Sequence, residues 1–199
     1  MQRHELEHII RAAAEIVQEY DIVIVGSQSI LGQFPDAPGE LLQSMEADVY
    51  PLHYSAKKSD LIDGTIGEGS PFEEAYGYYA QGVGPETATL PQGWQDRLVK
   101  VQSQSTDLKI GWCLEPHDLA ASKLAAAREK DREFVAALLR HGLVEEAEVE
   151  KRIQAMPGTD AGRHRMAMML GRIARENQGQ QGNEAQNSTV RIHRAPSGR

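Results

Sequence analysis

The sequence predicts an α/β (α+β) chain, and three observations carry that prediction. Residues 4–19 space Leu6, Ile9, Ile10, Ala13, Ile16 and Val17 along one helical stripe. The next stretch, "DIVIVG" (21–26), is a short apolar run rich in β-branched residues that ends at glycine, as a central strand covered on both faces does. Residues 115–143, "EPHDLAASKLAAAREKDREFVAALLRHGL", form the clearest helical region, alanine-rich inside and stopped by glycine. Helices interleaved with strands in this way bury their apolar faces against a sheet.

The remaining elements follow in order. "GSQSILGQF" predicts a short helix before the Pro/Gly loop "PDAPGE". "MEADVYPL" (45–52) alternates as a strand does and stops at Pro51. Residues 53–96, rich in Gly, Pro and Tyr, read as irregular, with a strand pair within "EEAYGYYAQGVGPETATL". "RLVKVQ" (97–102) and "IGWCL" (110–114) read as further strands, and residues 145–155 and 160–176 as two more helices. From Asn177 onward the chain has almost no apolar content and reads as a disordered tail. The expected organisation is a core over 1–143, C-terminal helices over 144–176 and the tail over 177–199.

Bulk properties narrow the function classes. At 199 residues the chain can bury a core without staples. One cysteine, Cys113, excludes an internal disulfide framework and suits a reducing cytosol. No apolar run approaches a membrane span and "MQRHELEHII" has no signal-peptide profile, so a cytoplasmic protein with no membrane partner is expected. The net charge of −8 is uneven: residues 151–199 carry nine Lys/Arg against three acids, a net +6, which leaves −14 for residues 1–150. Such a basic segment can dock RNA, an acidic partner or its own body, or be only a solvated tail. The seven histidines show no paired ligand spacing for zinc, and no G-x-x-x-x-G-K-[ST] phosphate loop occurs. Cys113 reads as an inert core residue, and Tyr76, Tyr78, Tyr79 and Trp94 either stack a base or simply pack.

The chemistry concentrates in "IVIVGSQSILGQFPDAPGELLQSMEADVYPL" (22–52). Glu46 and Asp48, at i and i+2 on a strand, project to one face. Carboxylates are costly in half-buried surroundings, and a shared divalent cation removes that cost. Mg²⁺ is held through one or two carboxylates plus substrate phosphates. The Gly26-Ser27 turn, where a strand gives way to a helix, offers backbone N–H groups and a hydroxyl to phosphate oxygens. Along 118–140, Ala120, Leu124, Ala127, Phe134, Val135 and Leu138 share one helical face, with Asp131 in its middle and Lys123 at its edge. That placement fits a site lined by the helix. The alternative is an internal Lys–Asp pair, or a helix break near Glu129 that turns Asp131 outward as a cap.

"VGSQSILG", "SMEADVY" and "DLAASKLAAAREKDREFVAALL", in that order, resemble the nucleotidyltransferase superfamily with the DNA polymerase β-type core. The likeness spans roughly residues 20–140 and is strongest to the minimal nucleotidyltransferase and abortive-infection (AbiEii-type) toxin branches. Much of the chain, "YGYYAQGVGPETATLPQGW" included, also looks like a bacterial nucleotidyltransferase-like family without assigned function. The resemblance implies a mixed β-sheet core flanked by helices, a phosphate-binding turn at Gly26 and Ser27, and metal acids at Glu46 and Asp48. It further implies a nucleotide-contacting lysine at Lys123 and a helical acid at Asp131. The implied chemistry is Mg²⁺- or Mn²⁺-dependent transfer of NMP from an NTP to a hydroxyl of tRNA, another RNA or a protein. The toxin-like branch implies a cognate antitoxin.

Two departures matter. Glu46 stands where the superfamily usually has aspartate, one methylene shorter, and displacements of about 1 Å can cost roughly 10²-fold in rate. The third carboxylate that many members carry on a later strand has no clear counterpart; Glu115 and Asp107 are nearby in sequence but outside apolar strand patterns. A non-catalytic binding or regulatory module on the same fold is therefore the alternative reading.

Overall fold

A computed structural model describes the backbone of residues 1–192 and the side chains through residue 179. Its architecture is α+β. A five-stranded mixed sheet is formed by β1 (Asp21–Val25), β2 (Glu46–Pro51), β3 (Tyr79–Gly82), β4 (Val99–Val101) and β5 (Ile110–Cys113), in the order β3-β2-β1-β5-β4. β1 lies at the centre, antiparallel to β2 and parallel to β5, and its four apolar residues are all buried. The continuous apolar run of "DIVIV" thus has the position its composition predicts.

The two faces of the sheet differ. Helix α1 (Arg3–Val17) buries Leu6, Ile9, Ile10, Ala13, Ala14 and Val17. A Cβ built on Gly111 would meet Ile10 Cδ1 at 2.4 Å, which places α1 on the face of Ile22, Ile24 and Gly111. Helix α3 (Ala56–Ile66) takes the same side: a Cβ on Gly82 would come within 1.9 Å of the Ser59 carbonyl oxygen, and Gly82 pairs with Val49. Strand alternation then puts Val23, Val25, Glu46 and Asp48 on the opposite face.

Two helices were not legible in residues 53–96. α3 presents a narrow buried stripe of Ser59, Ile62 and Ile66 among charged residues, with Gly64 inside it, so its amphipathic signal is weak. α4 (Pro71–Tyr76) begins with Ser70, whose side chain accepts from the Glu73 N–H, and ends at Gly77 in the left-handed region. The expected strand pair there is a single strand, β3, which pairs in parallel with β2. Tyr76 and Tyr78 pack with Phe72 and His8, and Tyr78 shares a hydrogen bond with His8 at 2.8 Å.

The helical region expected over 115–143 consists of two helices, α5 (Pro116–Ala126) and α6 (Glu129–Arg140). Ala127 adopts φ +57° and breaks them apart. α7 (Glu146–Gln154) and α8 (Asp160–Ile192) complete a helical layer in which α5 packs on α6, α7 and α8. The first turn of α5 is fixed by Glu115, which accepts from the N–H groups of His117 and Asp118. Asp118 is fully buried and held by Arg97 at 2.8 and 2.9 Å and by Arg152 at 3.0 Å. α8 continues past the point where composition predicts the tail. Asn177 is buried and its Nδ2 donates to the Ala136 carbonyl at 2.8 Å. The rest of the expected tail lies in part outside the described residues. No helix among the described residues is long and apolar enough to cross a membrane.

Ala127 supplies a test of the helix break. An L-residue in the left-handed region carries about 1–2 kcal/mol of backbone strain, which glycine escapes at some cost in unfolded-state entropy. Ala127→Gly is expected to leave stability unchanged or raise it by up to about 1 kcal/mol, measured by urea denaturation. A loss of more than that would mean the Ala127 methyl packs in a way that outweighs its strain.

Candidate active site between the sheet and the helical layer

The open face of β2 looks into a cavity of about 750 Å³ walled by the sheet, the β1–α2 turn and helices α5, α6 and α8. Gly26, Ser27, Glu46, Asp48, Gln81, Lys123, Arg128 and Lys130 all line it. Five of the six sequence-derived site residues therefore share one cavity, and the sixth, Asp131, sits fully buried immediately behind Lys123.

The turn and the acids are fitted to each other. Gly26 has φ +70°, and a Cβ built on it would stand 2.1 Å from Asp48 Oδ2. Glycine is needed here twice, for the backbone angle and for the close approach of the carboxylate. The antiparallel register that pairs Val25 with Asp48 brings the turn to that carboxylate. A single 3-10 turn, Ser27–Ser29, then leads into the short helix α2 (Ile30–Gln33), and Ser29 Oγ donates to the Gly26 carbonyl at 2.8 Å.

Asp48 is in an energetically unfavourable position for an anion. Burial, followed by the charge and hydrogen bonding of Glu46, pushes its pKa up to about 7, against weaker relief from Lys123 and Lys130. Glu46 accepts a hydrogen bond from the Tyr79 hydroxyl at 3.2 Å. Tyr79 is itself pushed up to about 12 by burial and by Glu46. A divalent cation between Glu46 and Asp48 would cancel the repulsion that raises Asp48. The donor set, carboxylate oxygens with the Gln81 amide beside them, suits a hard cation such as Mg²⁺ or Mn²⁺.

Lys123 joins the helical layer to the turn. Its Nζ donates to Ser27 Oγ at 2.8 Å, pairs with Asp131 Oδ1 at 3.1 Å and lies 5.3 Å from the Phe134 ring centroid. Asp131 stands in the first turn of α6, where the helix N-terminus favours an anion. Burial acts to raise its pKa, but hydrogen bonds from Arg128 and Lys123 outweigh it and hold the carboxyl below its usual range. The break at Ala127 does occur near the expected point, yet it turns Asp131 inward onto Lys123 instead of outward as a cap.

Other candidates are placed elsewhere. Glu115 is taken by the α5 N-terminus and by His117, which also accepts from the Glu145 N–H at 3.1 Å. Asp107 belongs to a turn with φ +51°. Cys113 is fully buried, its thiol pushed up to about 12, as an inert core residue should be. Among the described residues no three His, Cys, Asp or Glu side chains gather as a metal cluster. Gln81, Arg128 and Lys130 were not singled out from the sequence. Arg128 opens the R-x-x-D spacing that ends at Asp131, so a signal for it existed.

Two substitutions probe this geometry. Asp48→Asn removes an acid whose folded pKa, about 7, exceeds its ordinary value of 3.8. Between those two pH values the folded state binds more protons than the unfolded one, so the wild type loses stability as pH rises through the window. The variant is expected to match the wild type near pH 4 and to be more stable above pH 7. Relief of even one pKa unit, about 1.4 kcal/mol, corresponds to roughly 3–6 °C for a domain of this size. Parallel pH–melting curves for the two proteins would contradict the account. Gly26→Ala, by contrast, forces a methyl onto Asp48 and is expected to lower the melting temperature at every pH, with a cost of at least about 1–2 kcal/mol.

Residues 4–167 match the model of a family described as "Nucleotidyltransferase of unknown function (DUF6036)". No curated protein and no solved structure matches the chain significantly. The match spans more than half of the chain, and the protein belongs to this nucleotidyltransferase family.

Proposed function

We propose that the cleft transfers a nucleoside monophosphate from a metal-bound NTP to a hydroxyl of RNA, tRNA among the candidates, or of a protein. The observation that carries this reading is the hydrogen bond from Lys123 Nζ to Ser27 Oγ, 2.8 Å, in the cavity that also holds Glu46 and Asp48. It joins a phosphate-type turn, a fixed ammonium and two carboxylates in one place.

Glu46 and Asp48 would hold a Mg²⁺ or Mn²⁺ ion, which supplies charge neutralisation and Lewis acidity at the phosphates. Ser27 and the turn would receive phosphate oxygens, and Lys123 would offset the negative charge that grows at phosphorus. Asp131 and Arg128 touch no substrate in this scheme; they hold the Lys123 ammonium in place. In the reaction the acceptor oxygen bonds to the α-phosphorus and its proton leaves to water. The bond from the α-phosphorus to the α,β-bridging oxygen breaks, and pyrophosphate departs with that electron pair. The toxin of a toxin–antitoxin pair, working in a bacterial cytoplasm and restrained by a cognate antitoxin, is the biological setting this reading favours.

A second reading is supported by the ligand count: two acids, with no third gathered beside them among the described residues. In that case the fold binds a nucleotide or a partner without turning it over. Incubation with each labelled NTP, Mg²⁺ and total tRNA or lysate separates the two. Label transfer supports the transferase. Calorimetric binding of Mg²⁺–NTP with no transfer to any acceptor supports the binding module.

Lys123→Ala is the sharper probe. Interactions that strengthen in the transition state affect turnover more than binding, so transfer is expected to fall by about 10²-fold or more. Asp131 has a second partner, Arg128 at 2.6 Å, so the variant is expected to remain folded. A destabilised variant with an intact rate per folded molecule would remove Lys123 from the site.

A further inference from the structure

The acidic end of the cleft is built from two carboxylates and, on the next strand, an amide. β2 and β3 run parallel in a register that pairs Glu46 with Tyr79 and Asp48 with Gln81. Paired residues project to the same face of a sheet, and Gln81 lines the cavity beside Glu46 and Asp48. Gln81 therefore stands where one more carboxylate would complete a three-acid cluster, and it brings no charge. Its strand neighbour on that face, Tyr79, already donates to Glu46 Oε2.

The charge on the other side of the cleft points the same way. Lys123, Arg128 and Lys130 line the same cavity as Glu46 and Asp48, near enough for their charges to act on the acids. One Mg²⁺ is satisfied by two carboxylates, phosphate oxygens and water. A second ion about 3.5–4 Å from the first would need further anionic ligands to offset ion–ion repulsion, and here it would meet fixed cations. We infer that the cleft takes one divalent cation with its nucleoside triphosphate instead of two, and that the neutral side chain of Gln81 sets that count. Lys123 and its neighbours supply the positive charge that a second ion would otherwise bring. This inference rests on the proposed cation- and NTP-binding function.

Electron paramagnetic resonance of Mn²⁺ titrated into the full chain with a non-hydrolysable NTP analogue tests it without any turnover. The wild type should saturate at one protein-bound ion and give the six-line signal of an isolated Mn²⁺. Gln81→Glu, which adds a charge at unchanged length, or the shorter Gln81→Asp should admit a second ion and give a spin-coupled spectrum. Gln81→Ala should keep one ion. Two coupled ions in the wild type would overturn the inference while leaving the proposed function standing. A single ion in both acidic variants, with wild-type melting temperatures, would also overturn it. No bound Mn²⁺ in any of the proteins would remove it together with the cation reading beneath it.

Discussion

The structure turns on the repulsion between two carboxylates that a strand forces together. Glu46 and Asp48 share a face because β2 alternates, and burial of Asp48, the larger effect, adds to the charge of Glu46 in keeping it from ionising. Nothing in the fold relieves this by distance. The Gly26 turn presses against Asp48, and Glu46 is held by Tyr79. A purely structural strand gains nothing from such a pair, since apolar residues would be cheaper at a half-buried face. The unfavourable local charge is what makes the face a candidate for a cation.

The helical layer answers that charge from across the cleft, and it does so through a chain of supports. Lys123 is kept in place by Asp131, and Asp131 by Arg128 and by the start of α6. The break at Ala127 is what brings α6 round so that its first turn faces back onto α5. Farther down, Arg97 and Arg152 close on Asp118, five residues before Lys123. A buried pair of this kind is weak ground for a stability claim. Its consequence here is positional: α5 cannot rotate about its axis without breaking Asp118's contacts, so the Lys123 ammonium stays at Ser27.

Much of this was readable from the sequence, and the parts that were not have specific causes. The α1 stripe, the β1 run and the Glu46–Asp48 spacing are local patterns with one period each, and they survive folding, except that Ile16 of the α1 stripe is only half-buried and Ala14 is buried. α3 escaped because its buried stripe is only Ser59, Ile62 and Ile66, while Leu61 is exposed and charged residues fill much of the rest. A break near Glu129 was one of the readings the sequence allowed, but its place at Ala127 was hidden, because alanine is the strongest helix former and gives no warning of a left-handed residue. The place of Gln81 beside Asp48 depends on β3 pairing with β2, a register that no local pattern encodes. The contact of Lys123 with Ser27 spans 96 positions and becomes visible only once the helices are docked. The superfamily resemblance named these residues as candidates, but only the fold gives their distances.

The central claim is that Glu46 and Asp48 share a divalent cation at the mouth of the Gly26-Ser27 turn. Anomalous diffraction from crystals grown with Mn²⁺ and a non-hydrolysable NTP analogue tests it directly. The account predicts an anomalous peak within ligand distance of both carboxylates, about 2.0–2.6 Å for hard cations of this class, with phosphate oxygens reaching Ser27 and Lys123. A bound triphosphate whose cation lies away from β2, or a peak that touches neither Glu46 nor Asp48, would contradict it.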